Sequence, residues 1–301
     1  MESFDVLVVG GGPAGLSAAL VLGRCRRKVL VCDAGKPRNA AAHEMHGYLG
    51  RDGTNPADML AIGREEVVRY GVDFRRTEVV DASKEGEGFT AVLADGSHVQ
   101  ARRLVLATGM LDKLPEVEGL RERYGRSVFH CPYCDGWENR DVPIAACGKG
   151  EAGFRYAILL SRWSRDVVLC TNGPGDLEAD HRAALSRLGI RIREERILRL
   201  EGADGTLERV VFAEGEPERR RAFFLKWGEL PQSQLAAKLG CRFNEDQTVE
   251  TGKNGRTCVE GVYVVGDASP RVQLVIVAAA EGAMAAVDIH GTLCMNETGC
   301  G

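Results

Sequence analysis

Phe4-Asp5-Val6-Leu7-Val8-Val9-Gly10-Gly11-Gly12-Pro13-Ala14-Gly15 is an apolar run that ends in a cluster of glycines. The run is short enough for a buried strand. A helical apolar pattern follows to Leu22, and Lys28–Cys32 is a second strand that ends in Asp33. This is a G-x-G-x-x-G in full context: strand, tight turn, helix, strand, and an acid about 20 residues on. Gly10, Gly12 and Gly15, with Pro13 and Ala14 between them, let the backbone approach a pyrophosphate, and the helix N-terminus offers amides and a positive dipole end. Asp33 is placed to accept from an adenosine ribose hydroxyl.

Outward from this stretch the first half-domain reads as helix Pro56–Tyr70, then strands Val72–Phe74, Thr77–Ala82, Phe89–Leu93, His98–Ala101 and Leu104–Ala107. Asp95-Gly96 is a hairpin turn signal. The last strand closes on Thr108-Gly109, small residues that let a cofactor pack against backbone. Lys36-Pro37-Arg38-Asn39 and His43-Glu44-Met45-His46 form a polar loop where a cofactor tail would run outward. It reads either as a surface loop or as a wall that brings Asn39 and His46 to a flavin ring. Asp33-Ala34 and Arg38 complete the expected cofactor contacts.

The design repeats. Val142–Ala146, Gly148-Lys149-Gly150-Glu151-Ala152-Gly153, a helix to about Trp163 and Val167–Cys170 make a second strand–glycine–helix–strand unit. Its ribose reader is missing: Thr171-Asn172-Gly173-Pro174-Gly175 carries no terminal acid for NAD and no arginine cluster for NADP. Nicotinamide binding there stays open against a fold that only carries what precedes it. Beyond it, His181–Leu188 reads as a helix, Arg191–Ile197, Leu207–Phe212 and Ala222–Leu225 as strands, and Leu230–Leu239 as a short helix before the return crossing.

Between the two units stands His130-Cys131-Pro132-Tyr133-Cys134-Asp135-Gly136. Two cysteines at this spacing can close a small disulfide ring. A helix starting here would favour a thiolate, lowering the pKa from ~8.5 to roughly 3.5–7.5, and ready it for disulfide exchange. Two nucleotide folds with a redox disulfide between them point to a flavin and an electron donor. The final segment, Gly261-Val262-Tyr263-Val264-Val265-Gly266-Asp267-Ala268, is a buried strand that ends in glycine and acid. Gln273–His290 follows as a helix apolar all round, expected to be buried, with its N-terminus beside Asp267 aimed at the cofactor. Cys294 and Cys300 in the tail read as a second redox relay or as free thiols.

The chain has 301 residues, enough for two domains. Hydrophobic residues make up 44% and charged residues 27%, as in a soluble globular protein. A net charge of −4 argues against nucleic acid or an anionic membrane as partner. Of the ten cysteines only Cys131 and Cys134 form a C-x-x-C, and a structural metal site would need a second pair, so no metal is expected. Val6–Gly23 is apolar but glycine-rich and lacks a basic leader, so it reads as strand and helix rather than as a secretion signal. The expected compartment is a reducing cytoplasm, where a C-x-x-C is catalytic.

Four motifs in this order (Gly10–Gly15, Ala107-Thr108-Gly109, Cys131–Gly136 and Gly261–Ala268) resemble the low-molecular-weight thioredoxin reductases over nearly the whole chain. The resemblance implies an α/β fold of two Rossmann-like three-layer nucleotide-binding domains, the second inserted into the first. An FAD domain at 1–113 plus 241–301 would be interrupted by an NAD(P)-type domain at 114–240, usually in a homodimer. It implies that Cys134 lies against the flavin, that Cys131 attacks the substrate disulfide, that Asp135 handles the proton, and that Gly266, Asp267 and the helix after them, with Gln273, hold the flavin. Rotation about crossings near Lys113–Pro115 and Trp227–Gly240 would let the disulfide meet both flavin and substrate.

The chain departs from that family after Cys170, at Gln273-Leu274 where the family has Arg-Gln, and at His130, Pro132-Tyr133, His43 and His46. The leading expectation is therefore an FAD-dependent reductase of a thioredoxin-like protein, with NADPH, NADH or ferredoxin as donor. The alternatives are a dithiol oxidase that closes small-molecule disulfides with oxygen, and a flavin redox sensor without turnover.

Overall fold

The computed structural model describes residues 1–299. Along the chain run β1 (Glu2–Val9), α1 (Pro13–Arg24), β2 (Val29–Cys32), α2 (Pro56–Arg69), β3 (Asp73–Arg75), β4 (Val79–Glu85), β5 (Gly88–Leu93), β6 (His98–Leu106) and β7 (Met110–Asp112). Next come β8 (Val128–Phe129), α3 (Pro132–Asp135), β9 (Ile144–Cys147), α4 (Gly150–Leu160), β10 (Val167–Cys170), α5 (Ala179–Arg187), β11 (Arg191–Arg193), β12 (Ile197–Glu201), β13 (Arg209–Phe212), β14 (Glu218–Arg219) and β15 (Ala222–Leu225). The chain ends with β16 (Glu229–Pro231), α6 (Leu235–Lys238), β17 (Val262–Val264) and α7 (Val275–Glu297).

The chain divides into two units, Met1–Ala40 with Gly47–Leu111 and Glu229–Gly301, and Ala41–His46 with Asp112–Gly228. In the first, β3, β2, β1, β6 and β17 form a parallel sheet, and β4 and β5 add antiparallel to the first half of β6. The expected strands His98–Ala101 and Leu104–Ala107 are thus one strand. Its N-terminal half pairs with β5 and its C-terminal half with β17. Strand alternation sends Leu7 and Val9 to a core shared with β4, β5 and α6, and Val6 and Val8 to a core shared with α1, α2 and α7. Both faces are covered, which is why the parallel strands read as continuous apolar runs.

In the second unit β11, β10, β9, β15 and β8 form a parallel sheet, with Ala145, Cys147, Val168 and Cys170 facing the β12–β13–β14 meander and Ile144, Ala146, Val167 and Leu169 facing α4 and α5. Both units are therefore three-layer α/β nucleotide folds, the second inserted into the first.

The structure returns to the first unit at Glu229, earlier than the expected crossing after Gly240. Residues Glu229–Pro231 form β16, which pairs with β7, and Leu235 and Ala236 of α6 enter the first unit's core. The expected helix Leu230–Leu239 shrinks to α6 because β16 takes its first residues. The expectation for the last helix also changes. α7 spans Val275–Glu297 and is buried on one face only, through Ala278, Gly282, Ala285, Ala286, Ile289 and Leu293, while Met284 and Val287 are exposed. The buried stripe is small because α1 lies close: a Cβ at Gly282 would stand 2.0 Å from the Ala14 carbonyl oxygen.

Candidate active site and cofactor cradle

Cys131 and Cys134 are joined as a disulfide. Pro132 opens α3, where its fixed φ suits the first helical position. The Cys134 N–H donates to Cys131 Sγ at 3.1 Å, so the sulfur that would become a thiolate already faces an amide. Gly136 is required by packing: a Cβ there would meet the Pro132 carbonyl at 2.3 Å and the Trp163 ring at 2.8 Å. Burial pushes the Asp135 carboxyl up to about 7, with repulsion from Glu138 adding to the shift and His46 opposing it. A carboxyl at that value can both give and take a proton near neutrality.

His46 belongs to this second unit. Its Nε2 lies 3.6 Å from Glu138 and 3.6 Å from Glu44, whereas Asn39 is half-buried in the first unit. Sequence reading missed a polar cluster around His130, the residue before Cys131. Tyr124 donates its hydroxyl proton to Asp112 Oδ2 at 2.5 Å, and the Tyr124 hydroxyl oxygen lies 3.0 Å from His130 Nδ1. The Tyr156 hydroxyl donates to the His130 carbonyl at 2.8 Å.

In the first unit the glycine turn divides its work. At Gly15 a Cβ would lie 1.9 Å from the Gly10 carbonyl oxygen, so this glycine serves helix–strand packing. At Gly12 a Cβ would meet no protein atom within 4 Å, and no side chain caps the N-terminus of α1 there. That open cradle in front of helix amides fits a pyrophosphate. Asp33 Oδ1 accepts from the Gly11 N–H at 3.1 Å, leaving its other oxygen for a ribose hydroxyl, with Ala34 exposed next to it. Thr108 and Gly109 follow β6, and Gly109 takes a φ of +68°.

Arg38, Asp267 and Gln273 come together, joined by Glu229. Arg38 Nη1 reaches Asp267 Oδ2 at 3.0 Å and Gln273 Oε1 at 2.8 Å, and Nη2 reaches Glu229 Oε1 at 3.1 Å. The Gly266 N–H donates to Glu281 Oε2 at 2.8 Å, so the lone acid of α7's first turns anchors the loop before it. Glu229 escaped sequence reading because it fell outside the segment taken as the first domain. Cys294 is half-buried with Arg27 Nη2 at 3.1 Å and His290 Nε2 at 3.6 Å, and Cys300 lies outside the described residues. Among the described residues no His/Cys/Asp/Glu group could hold a metal ion.

The second glycine cradle is differently furnished. Gly148 and Gly153 keep the close strand–helix packing, with a Cβ at Gly153 lying 2.5 Å from the Gly148 carbonyl. The Gly150 N–H, however, donates to the Gly175 carbonyl at 2.7 Å. Gly175 is in turn pinned by its N–H to Glu194 Oε1 at 3.0 Å, and Glu194 is held bidentately by Arg182 at 2.8 Å on each oxygen. Glu151 sits in the first turn of α4 and pairs with His181 Nε2 at 2.8 Å. Arg191 and Arg193 are engaged by Glu218, and Arg193 also by Glu195.

A redox disulfide in one nucleotide fold and a dinucleotide cradle in the other define a flavoprotein disulfide oxidoreductase. The chain belongs to the pyridine nucleotide-disulphide oxidoreductase family, whose model it matches over residues 4–282. Within that family it is of the low-molecular-weight thioredoxin reductase class. It is 30% identical to a probable thioredoxin reductase of Arthroderma benhamiae over 88% of this chain and 74% of that one. The crystal structure of a putative thioredoxin reductase, TrxB, from Bacillus anthracis superposes with a TM-score of 0.93 at 34% identity, covering 98% of this chain and 99% of that one. That of HlmI superposes with a TM-score of 0.94 at 40% identity, covering 99% and 94%. FAD is the cofactor this membership implies, and the Gly12 cradle and Asp33 fit its diphosphate and ribose.

Proposed function

We propose that this enzyme oxidises dithiols without a nicotinamide donor: a substrate dithiol reduces the Cys131–Cys134 disulfide, and dioxygen is the final acceptor. The observation that carries this reading is the Gly150–Gly175 hydrogen bond. The amide a nicotinamide dinucleotide would need at the head of α4 is spent within the chain, Glu151 already supplies an anion there, and the nearby arginines are neutralised by carboxylates. Bound FAD supplies the two-electron exchange with the reduced cysteine pair and with oxygen. The chain's own residues supply the rest. Cys131 takes the substrate sulfur, Cys134 leaves as thiolate, and Asp135 holds or releases the proton beside it.

A second reading keeps the reductive direction, with a thioredoxin-like disulfide as acceptor and ferredoxin as donor. The thioredoxin reductase names of relatives such as that of Peptoclostridium litorale, 30% identical over 94% of this chain and 95% of that one, favour the reductive direction and the thioredoxin-like acceptor. Aerobic incubation with dihydrolipoamide or dithiothreitol separates the two. One peroxide formed per dithiol consumed, with no NADPH-dependent reduction of thioredoxin, is the expected result. Reduction of thioredoxin by ferredoxin without peroxide would replace the first reading by the second.

A further inference from the structure

We propose that Cys241 and Cys258 are a second redox pair: a peroxide oxidises the exposed Cys258, and the buried Cys241 resolves it as an intramolecular disulfide. Both are free thiols of the first unit, whereas Cys131 and Cys134 belong to the second.

Each sulfur is held against the residue that precedes the other cysteine. Cys258 Sγ donates to the Gly240 carbonyl oxygen at 3.6 Å. A trans peptide puts that oxygen about 2.8 Å from the Cys241 Cα, so the Cys258 sulfur stands within about 6.4 Å of it. The Cys241 thiol in turn has the Thr257 hydroxyl as its hydrogen-bond partner. A disulfide spans Cα atoms roughly 4.4–6.8 Å apart, and these reciprocal contacts leave side-chain rotation and a small closing of the two turns to reach it. The turns themselves are anchored. The Cys241 N–H donates to the Ala236 carbonyl at 2.9 Å at the end of α6, and the Thr257 hydroxyl donates to the Val262 carbonyl at 3.0 Å. Leu239 and Val259 pack against the core that includes Cys241.

The two thiols differ as an attacking and a resolving cysteine do. Cys258 is open to a dissolved oxidant and has a partner thiol beside it. Cys241 is 7% exposed, and burial pushes its thiol up against the opposing Thr257 hydroxyl, so it stays unreactive until an electrophilic sulfur forms next to it. The Cys258 thiolate attacks one peroxide oxygen. An S–O bond forms, the O–O bond breaks, and hydroxide leaves and is protonated to water. Cys258 is now a sulfenic acid, oxidised by two electrons, and the peroxide is reduced by two. The Cys241 sulfur gives up its proton and attacks Cys258 Sγ. The S–S bond forms, the S–O bond breaks, and hydroxide leaves with that proton as a second water. The bond fastens the end of α6 to the turn that opens β17, the strand leading to Gly266 and Asp267.

The oxidant is the species that the dithiol oxidation proposed above would release, but the pair's chemistry does not need that reading. The test adds a few equivalents of hydrogen peroxide to the FAD-loaded enzyme, blocks remaining thiols with N-ethylmaleimide and maps unreduced peptides by mass spectrometry, in the wild type, C241S and C258S. The wild type should yield a peptide linking Cys241 to Cys258 and should melt several degrees higher once oxidised, because the unfolded chain loses loop entropy. In C241S the oxidation should halt at the sulfenic acid, giving about tenfold more dimedone adduct on Cys258 than the wild type. In C258S Cys241 should stay reduced, with no melting shift. An unoxidised Cys258, equal dimedone adducts in wild type and C241S, or Cys258 linked to another cysteine or a second chain overturns the pair. Should C241S not fold, the wild-type peptide map decides alone. The oxidase reading is judged separately, by peroxide released from dithiols, which C258S should leave at the wild-type level.

Discussion

Gly150 donates its backbone N–H to the carbonyl of Gly175 across 2.7 Å, inside the glycine turn of the second fold. The strand, the turn and the helix are retained. The amide that would face a phosphate is turned to the chain itself, on a loop braced by Glu194 and Arg182. Four consequences can be measured.

Gly12→Ala and Gly15→Ala should separate cofactor binding from folding. A Cβ at Gly12 meets no protein atom and φ is −77°, so the variant should melt within about 2 °C of the wild-type apoprotein yet lose most of its flavin. A Cβ at Gly15 would collide with the Gly10 carbonyl oxygen, so that variant should be destabilised by about 3 kcal/mol or more. Flavin absorbance and thermal melting check both.

Arg38→Ala removes the counter-charge of Asp267 and Glu229 together. Leaving two partly buried carboxylates side by side should cost about 2–4 kcal/mol and weaken FAD retention. Arg38→Lys, a single point charge, should recover only part of the loss because it cannot serve Asp267, Glu229 and Gln273 at once. Flavin release during gel filtration in moderate denaturant reads the difference.

Asp135, with its carboxyl held up at about 7 by burial, gives both a catalytic and a stability signature. In the unfolded chain an aspartate ionises near ~4, so between about pH 4 and pH 7 the folded state binds the extra proton. Stability from this group is full below about pH 4 and is lost as pH rises through 7. Asp135→Asn should therefore melt several degrees above wild type at about pH 8, with the gap closing near pH 4. The same variant should lose about 10²-fold in dithiol turnover at neutral pH.

Loosening the Gly175 clamp should not create a nicotinamide site. Glu194→Gln removes the carboxylate that holds both the Gly175 N–H and Arg182. It should lower stability by about 1 kcal/mol, and NADPH should still fail to reduce the flavin, because no ribose-reading acid follows β10. Absorbance at the flavin band under argon measures this.

Much of the fold was written locally. Strand, glycines and acid appear within Phe4–Asp33, and the redox loop within His130–Gly136. What escaped reading depends on partners distant in sequence. Glu229 reaches Arg38 only because β16 pairs with β7, and Tyr124 reaches Asp112 and His130 through loop geometry that no periodicity encodes. The one-sided burial of α7 was hidden for a different reason. Its alanines, glycine and valines look equally apolar, and only the close approach of α1 at Gly282 decides which of them face inward. The lack of an acid or arginine cluster directly after Cys170 was legible, but the Gly150–Gly175 hydrogen bond was not, since a backbone carbonyl leaves no mark on a sequence.

The central claim, electron flow from dithiol to flavin without nicotinamide, is tested most directly by anaerobic stopped-flow mixing of the flavin-loaded protein with NADPH, NADH and a dithiol in separate shots. The expected outcome is bleaching of the flavin by the dithiol alone, lost in Cys131→Ser. Bleaching by NADPH within a turnover time would contradict it.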